Sequence, residues 1–383
     1  MSVPARLSAY FFALFAQAGA FVSYFALYLA ARGFSAAEIA FAVAMPQLAR
    51  MVAPVLWGWL ADTWSARGEG GARRAIVIFG TFAYLGSYLA LHGAETAGAV
   101  AIVLLAMGLL TAGAAPLAEA MTLAAVEGRA ERYGPIRLWG SIGFIVAVLG
   151  TGAWLDRHAV ADVLHILVVL AVFTCAVAIA LPRTAPAHAQ HAAAPRLGSV
   201  LARGEVRAFF AACFCMTAAH GALYVFYSIY LEAAGYSKTL IGMFWTLGVL
   251  AEIVFFLRLP QLLRRFTLRA LLLASFGCAV VRFLAIGWGV ESLAVLAVAQ
   301  LLHAATFGAF HACSVAAVHR LFPGTLAARG QALFSTVTYG MGAAAGSLIA
   351  GWTWVAWGPT ASFAVSALFG ALGGAFIWWR VRV

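Results

Sequence analysis

A chain of 383 residues with 64% hydrophobic and only 10% charged side chains lacks the polar surface that a water-soluble domain of this size needs. Its formal charge of +11 comes from arginine, Lys238 being the one lysine, and sits in short segments between apolar runs, which argues for membrane topology and against a nucleic-acid surface. The cysteines Cys175, Cys213, Cys215, Cys278 and Cys313 all lie inside apolar runs, so neither a disulfide nor a metal site is expected, and no cofactor is called for.

One bilayer crossing takes about 20 apolar residues. Apolar runs occur at 7–31, 36–62, 74–93, 97–123, 135–155 and 162–181, then at 206–231, 238–262, 269–288, 291–318, 327–350 and 357–381. The first run is longer than the apolar core of a signal peptide and continues through Tyr24, Phe25 and Tyr28, which predicts an uncleaved helix. The stretch 182–205, with Pro182, Pro186 and Pro195, reads as a linker. The predicted fold is an all-α membrane protein of 12 transmembrane helices, with a six-helix bundle at 1–181, a cytoplasmic linker at 182–205 and a second six-helix bundle at 206–383.

Eighteen arginines lie at the N-terminus, the even-to-odd loops and the C-terminus, among them Arg67, Arg73, Arg74, Arg129, Arg196, Arg264 and Arg380. The opposite face carries Arg32, Arg157 and Lys238. The positive-inside rule then places both termini and the linker in the cytoplasm. A repeat accompanies this division. Residues 229–237, from Ile229 to Ser237, echo 27–35, from Leu27 to Ser35, at an offset of 202, matching Gly235 to Gly33 and Tyr230 to Tyr28. The same offset sets Glu252 of span 8 against Arg50 of span 2. Repeats of this kind place the substrate site between halves near mid-membrane.

A charge at mid-bilayer costs about 2.5–3.5 kcal/mol on insertion scales, so intramembrane charges need partners and are functional candidates. Five stand out: Arg50, Glu119, Arg137, Glu252 and Arg282. Arg50 and Glu252 are expected to form a pair that breaks and re-forms during transport, or a static bridge; Arg282 is a second candidate partner for Glu252. Glu119 on span 4 and Arg137 on span 5 are expected to pair at matching depth. Polar and aromatic stripes follow helical spacing at Gln17, Phe21, Tyr24 and Tyr28 on span 1, at Thr217, His220, Tyr224 and Tyr227 on span 7, and at Gln300, His303, Thr306, Phe307, Phe310 and His311 on span 10. Such stripes suit the wall of a wet cavity rather than a lipid face. Three buried positives against two negatives leave an arginine to hold a carboxylate bidentately. Gly140, Gly143, Gly342 and Gly346 allow close helix approach.

Gly58-Trp-Leu-Ala-Asp62, followed by Arg73 and Arg74, resembles the loop motif between helices 2 and 3 of the Major Facilitator Superfamily, with Asp62 as its acidic, gating member. The corresponding stretch of the second half, Leu262 to Arg265, has no aspartate. Three further stretches are similar to the phenylpropionate permease branch, itself similar to lactose permease and nucleoside–proton symporters. They are Pro116 to Ala120 with Tyr133 to Ser141, Ala219 to Ser237, and Leu247 to Glu252. In the lactose-permease-like pattern a helix-4 carboxylate pairs with a helix-5 arginine at the substrate site, matched by Glu119 and Arg137. A helix-8 glutamate, a helix-9 arginine and a helix-10 histidine match Glu252, Arg282 and His303. The pattern's proton-carrying carboxylate three residues further on is Thr306 here, which shifts any proton load to Glu119, Glu252 or a histidine such as His303.

The resemblance implies a secondary transporter of the bacterial inner membrane, not an enzyme, that imports a small organic solute with protons and acts as a monomer. The favoured substrate is an aromatic monocarboxylate such as 3-phenylpropionate. The alternatives are a sugar or nucleoside symporter and an exporter of drugs or metabolites. The expected substrate contacts are Tyr24, Tyr28, Arg50, Glu119, Arg137, His220, Tyr224, Tyr227, Glu252, Arg282, His303 and Phe307. Glu119, Glu252 and His303 are the expected coupling residues.

Overall fold

The computed structural model describes residues 2–66, 71–183 and 197–383, so Arg67, Arg196 and most of the expected linker lie outside the described residues. Among the described residues every regular element is helical. Ten membrane-length helices come first: α1 (Val3–Ala31), α2 (Ala36–Trp64), α3 (Ala72–His92), α4 (Ala97–Ala125), α5 (Glu131–Leu155), α6 (Asp162–Ile179), α7 (Gly204–Ala233), α8 (Lys238–Arg265), α9 (Leu268–Trp288) and α10 (Leu293–Leu321). An eleventh apolar stretch, Ala327–Arg380, has 54 residues, far more than one crossing requires. It is interrupted at Gly358, whose φ of 85° and ψ of 176° leave the helical region just before Pro359. Residues 327–357 and 359–380 are therefore α11 and α12, and the count of crossings reaches the expected twelve. Large apolar side chains on the outside remain uncovered, Ile102 at 69%, Val169 at 67% and Leu257 at 73% exposure, as a lipid-facing surface requires.

Local chemistry explains the helix ends. Thr96, Ser292 and Thr267 accept from the backbone N–H three residues on and so cap α4, α10 and α9. The repeat seen in the sequence is a shared stop signal. Gly33 and Gly235 adopt φ of 85° and 88°. After them Phe34 donates its N–H to Leu29 O and Tyr236 donates to Leu231 O, so α1 and α7 end in the same left-handed turn. The starts that follow differ. Glu38 accepts from the Ser35 N–H at 2.9 Å, closing a capping box within the first turn of α2. Leu240 stands at the matching position of α8, and there Asp156, from the α5–α6 loop, accepts from the N–H groups of Lys238 at 2.6 Å and Thr239 at 3.0 Å.

The chain forms two compact units. The first comprises Met1–Phe34, Leu48–Gln190 and Ser237–Gly242; the second comprises Ser35–Gln47, His191–Tyr236 and Met243–Val383. In the first, Tyr10, Phe11 and Leu14 of α1 pack with Ile76, Leu117 and Met121. A Cβ at Gly143 would fall on the Phe12 carbonyl, so this glycine sets how closely α5 lies against α1. Arg74 donates to the carbonyls of Leu181 and Ile179, closing the C-terminal end of α6.

Candidate substrate and coupling site

The second unit holds a polar cluster built by α7, α8, α9 and α10. Arg282 of α9 is fully buried, at 0% exposure. Its Nη1 donates to His303 Nδ1 at 3.0 Å and to Thr306 Oγ1 at 2.9 Å, and its Nη2 donates to Gln300 Oε1 at 3.1 Å. A guanidinium can only donate, so His303 Nδ1 accepts and the neutral ring carries its proton on Nε2. That nitrogen faces Glu252 Oε2 of α8 at 3.8 Å. On the other branch His220 Nδ1 donates to Met216 O at 2.7 Å, which leaves its Nε2 to accept from the Thr306 hydroxyl at 3.4 Å. One arginine thus links a carboxylate, two imidazoles, a hydroxyl and an amide.

Arg282 Nε, Gln300 Nε2 and Tyr227 OH are buried without a partner at strict hydrogen-bonding geometry, although Gln300 and Tyr227 lie close enough to interact with each other. Aromatic rings form the walls. His303, Phe307 and His311 stack along α10, with centroids 5.3 and 6.4 Å apart, and His311 Nδ1 bonds the Tyr339 hydroxyl at 2.7 Å. A π-helical segment at Ala304–Ala309 widens α10 at this point, a distortion that recurs at functional sites. Tyr224 stacks between His220 and Trp245, and Tyr227 stands edge-on to Trp245. Trp245 and Gly248 were not singled out in the sequence. Both share a face of α8 with Glu252, and the spacing of three, four and seven residues could have shown it.

The first unit holds a looser pair. Glu119 Oε1 of α4 and Arg137 Nε of α5 lie 3.7 Å apart, with side chains 43% and 29% exposed. The guanidinium carbon sits 4.0 Å above the ring of Phe15 on α1 and 5.6 Å from that of Phe11. Tyr24, also expected at the site, is fully buried and commits its hydroxyl to the carbonyls of Val148 and Lys238. Tyr28 accepts from Arg32 at 3.2 Å near the end of α1. Arg50 is exposed and sits where α2 is broken over residues 50–52, four residues past Pro46. It belongs to the first unit and Glu252 to the second. Asp62 lies 3.7 Å from Arg73. Among the described residues no group of three or more His, Cys, Asp or Glu side chains could hold a metal ion.

The family model described as "MFS_1 like family" matches residues 5–365. The chain is 35% identical over 235 residues to the "Probable 3-phenylpropionic acid transporter" of Escherichia coli (strain K12), an alignment covering 57% of this chain and 58% of that protein's length. It is 27% identical over 350 residues to the maltose permease of Geobacillus stearothermophilus, covering 91% of this chain and 87% of the permease. Its fold is similar to that of a crystallised point mutant of the nucleoside transporter NupG, with a TM-score of 0.88 at 17% identity, over 98% of this chain and 99% of that one.

Proposed function

The chain belongs to the MFS_1 like family of the Major Facilitator Superfamily and is a multi-pass membrane transporter, and on that basis we propose that it imports an aromatic monocarboxylate such as 3-phenylpropionate together with protons. The observation that carries this reading is the state of Arg282. It is buried, it is held by neutral acceptors, and its Nε is a buried donor without a partner. An ionised carboxylate is an acceptor only, so it complements spare donors better than a hydroxyl, which also brings a hydrogen. Rings such as Phe307, Tyr224 and Trp245 give an aromatic body its apolar surroundings. The similarity to the E. coli phenylpropionate transporter favours the same substrate.

Coupling follows from charge. Arg282 and Glu252 balance each other through His303. An incoming carboxylate leaves one negative charge in excess in a low-dielectric setting, and one proton removes it. Glu252 is the proton acceptor in this scheme, His303 its relay, and Glu119 a second carboxylate paired with Arg137. The protein is proposed to act as a monomer in the bacterial inner membrane with both termini cytoplasmic, as two six-helix halves joined by residues 182–205, with Asp62 as a gating residue and Arg50 as a transient partner of Glu252.

A sugar symporter is the second reading, favoured by the maltose permease alignment along nine-tenths of the chain. Uptake of labelled 3-phenylpropionate into proteoliposomes separates the two. Uptake should rise with an inward proton gradient, collapse with an uncoupler, and be unaffected by excess neutral sugar. Absence of uptake together with sugar-induced thermal stabilisation would replace the acid with a polyol.

A further inference from the structure

Away from the polar cluster, the second unit carries a groove of about 380 Å³ where the start of α7 meets the end of α12. It is lined by Gly204, Arg207, Ala208, Ala211, Phe376 and Arg380. Both arginines are exposed, and among the described residues neither forms an ion pair. Glu205 beside them is already engaged, accepting from Arg203 at 3.2 Å and from the Arg382 N–H at 2.8 Å, a contact that ties the chain end to α7 and fixes both walls of the groove. On the basic side of residues 197–383 the sequence places ten arginines and, as their only acidic side chain, Glu205; the linker residues 184–196 contain no Asp or Glu. Within residues 197–383 no acidic side chain on this side is left to serve Arg207 and Arg380.

The setting points to the kind of molecule that could serve them. Trp378 and Trp379, 62% and 73% exposed, flank Arg380 and mark the depth at which aromatic side chains meet lipid headgroups. Below the two guanidinium groups the lining turns apolar with Ala208, Ala211 and the half-exposed Phe376. We infer that this groove is a binding site for an anionic phospholipid, its phosphate held by Arg207 and Arg380 and an acyl chain laid along Ala208, Ala211 and Phe376. Arginine is suited to hold phosphate bidentately, and a basic residue near a membrane surface contributes enough that losing two weakens binding about thirtyfold.

The test uses the purified full-length protein in detergent, titrated with phosphatidylglycerol, phosphatidylcholine or inorganic phosphate, with the thermal unfolding midpoint as readout. Phosphatidylglycerol should raise the midpoint, while phosphatidylcholine and phosphate at equal concentration should not. The Arg207→Gln/Arg380→Gln variant should need about thirtyfold more phosphatidylglycerol, whereas Arg264→Gln/Arg265→Gln, which removes two arginines from the end of α8, should respond like the parent. Ala211→Trp, which fills the apolar floor and keeps both charges, should also lose the response, and it reads the groove if the double arginine variant fails to fold. An equal response to inorganic phosphate, equal loss in both arginine pairs, or an undiminished response in the Arg207/Arg380 or Ala211 variants would overturn the site.

Discussion

In the first unit Arg137 meets Glu119 across 3.7 Å with both side chains partly exposed, and its guanidinium also lies over the face of Phe15. In the second unit Arg282 is fully buried and spends its donors on three directed bonds, reaching Glu252 only through His303. The two centres would look alike in a hydropathy plot, as one arginine and one glutamate on neighbouring spans. Partial exposure and the long 3.7 Å separation leave the first pair room to lengthen, rotate or exchange partners. Desolvation makes the second centre sensitive to any change in charge, because a buried ion that loses its compensation costs several kcal/mol. In the proposed function the exposed pair orients the solute, and the buried network couples its charge to a proton.

The sharpest way to break this comparison is to replace each arginine with lysine. Lysine keeps the charge and loses the planar fork. Arg282→Lys should lower uptake by about a hundredfold or more, since His303, Thr306 and Gln300 cannot all be served from one point. Arg137→Lys should stay within about tenfold of the parent, the loss expected of a partly exposed pair. Equal losses in proteoliposome uptake would mean that burial does not separate the centres.

Next in size is the carboxylate beside each arginine. Glu252→Gln should abolish accumulation driven by a proton gradient while substrate exchange at equal concentrations persists. Glu119→Gln should reduce both together. If accumulation and exchange fall in parallel in Glu252→Gln, that residue is not the proton acceptor. A charge-reversed pair, Arg50→Glu with Glu252→Arg, should recover part of the activity lost in each single variant; no recovery would remove the proposed transient pairing.

A smaller effect is expected from glycines that set helix spacing. A Cβ at Gly308 would lie 3.2 Å from Glu252 Cγ and 3.4 Å from the Phe255 ring. Gly308→Ala should raise the apparent KM for substrate severalfold, with a cost of about 1–2 kcal/mol as the glutamate is displaced. Gly143→Ala, which presses on the Phe12 carbonyl in the first unit, should lower thermal stability with little change in KM. A KM unaffected by Gly308→Ala would argue that Glu252 is not held in place by α10.

The smallest effect concerns the cap of α8. Burial is the largest single influence on the Asp156 carboxyl and raises it, but the bonds from Thr239 and Lys238, with the Lys238 charge, together outweigh it and hold the group below the ordinary aspartate range. The stabilisation is present above the unfolded-state value near 3.9 and is lost as pH falls through the lower folded value. Because Asp156 is exposed, Asp156→Asn should cost only about 1 kcal/mol at neutral pH, with the difference from the parent vanishing in acid. A difference that persists in acid would mean that the cap acts through shape rather than charge.

Much of this was legible in the residues. Twelve crossings follow from apolar runs, and the echo of Gly33 by Gly235 marked the shared stop of α1 and α7 because only a residue without Cβ takes that turn easily. The pairing of Glu119 with Arg137 was also readable, since their spans adjoin at matching depth. The break of α2 at Arg50 had a local signal, since Pro54 has no N–H to give the Arg50 carbonyl and Pro46 lies one turn earlier; the π segment after His303 had none, because it depends on packing rather than on local composition. Nor could the sequence show that Asp156 replaces the missing capping glutamate of α8, a contact between residues more than eighty positions apart. The difference in burial between Arg137 and Arg282 was hidden for the same reason. Tyr24, which shares a polar stripe with cavity candidates, turned out to have its hydroxyl occupied by two carbonyls.

The central claim is that Arg282 anchors a carboxylate, and binding of 3-phenylpropionate and of its neutral amide to the parent and to Arg282→Ala tests it most directly. The parent should bind the acid more tightly than the amide, and Arg282→Ala should erase that preference by weakening the acid far more. An equal loss for acid and amide would contradict the claim and leave Arg282 as a structural support of the α9–α10 network.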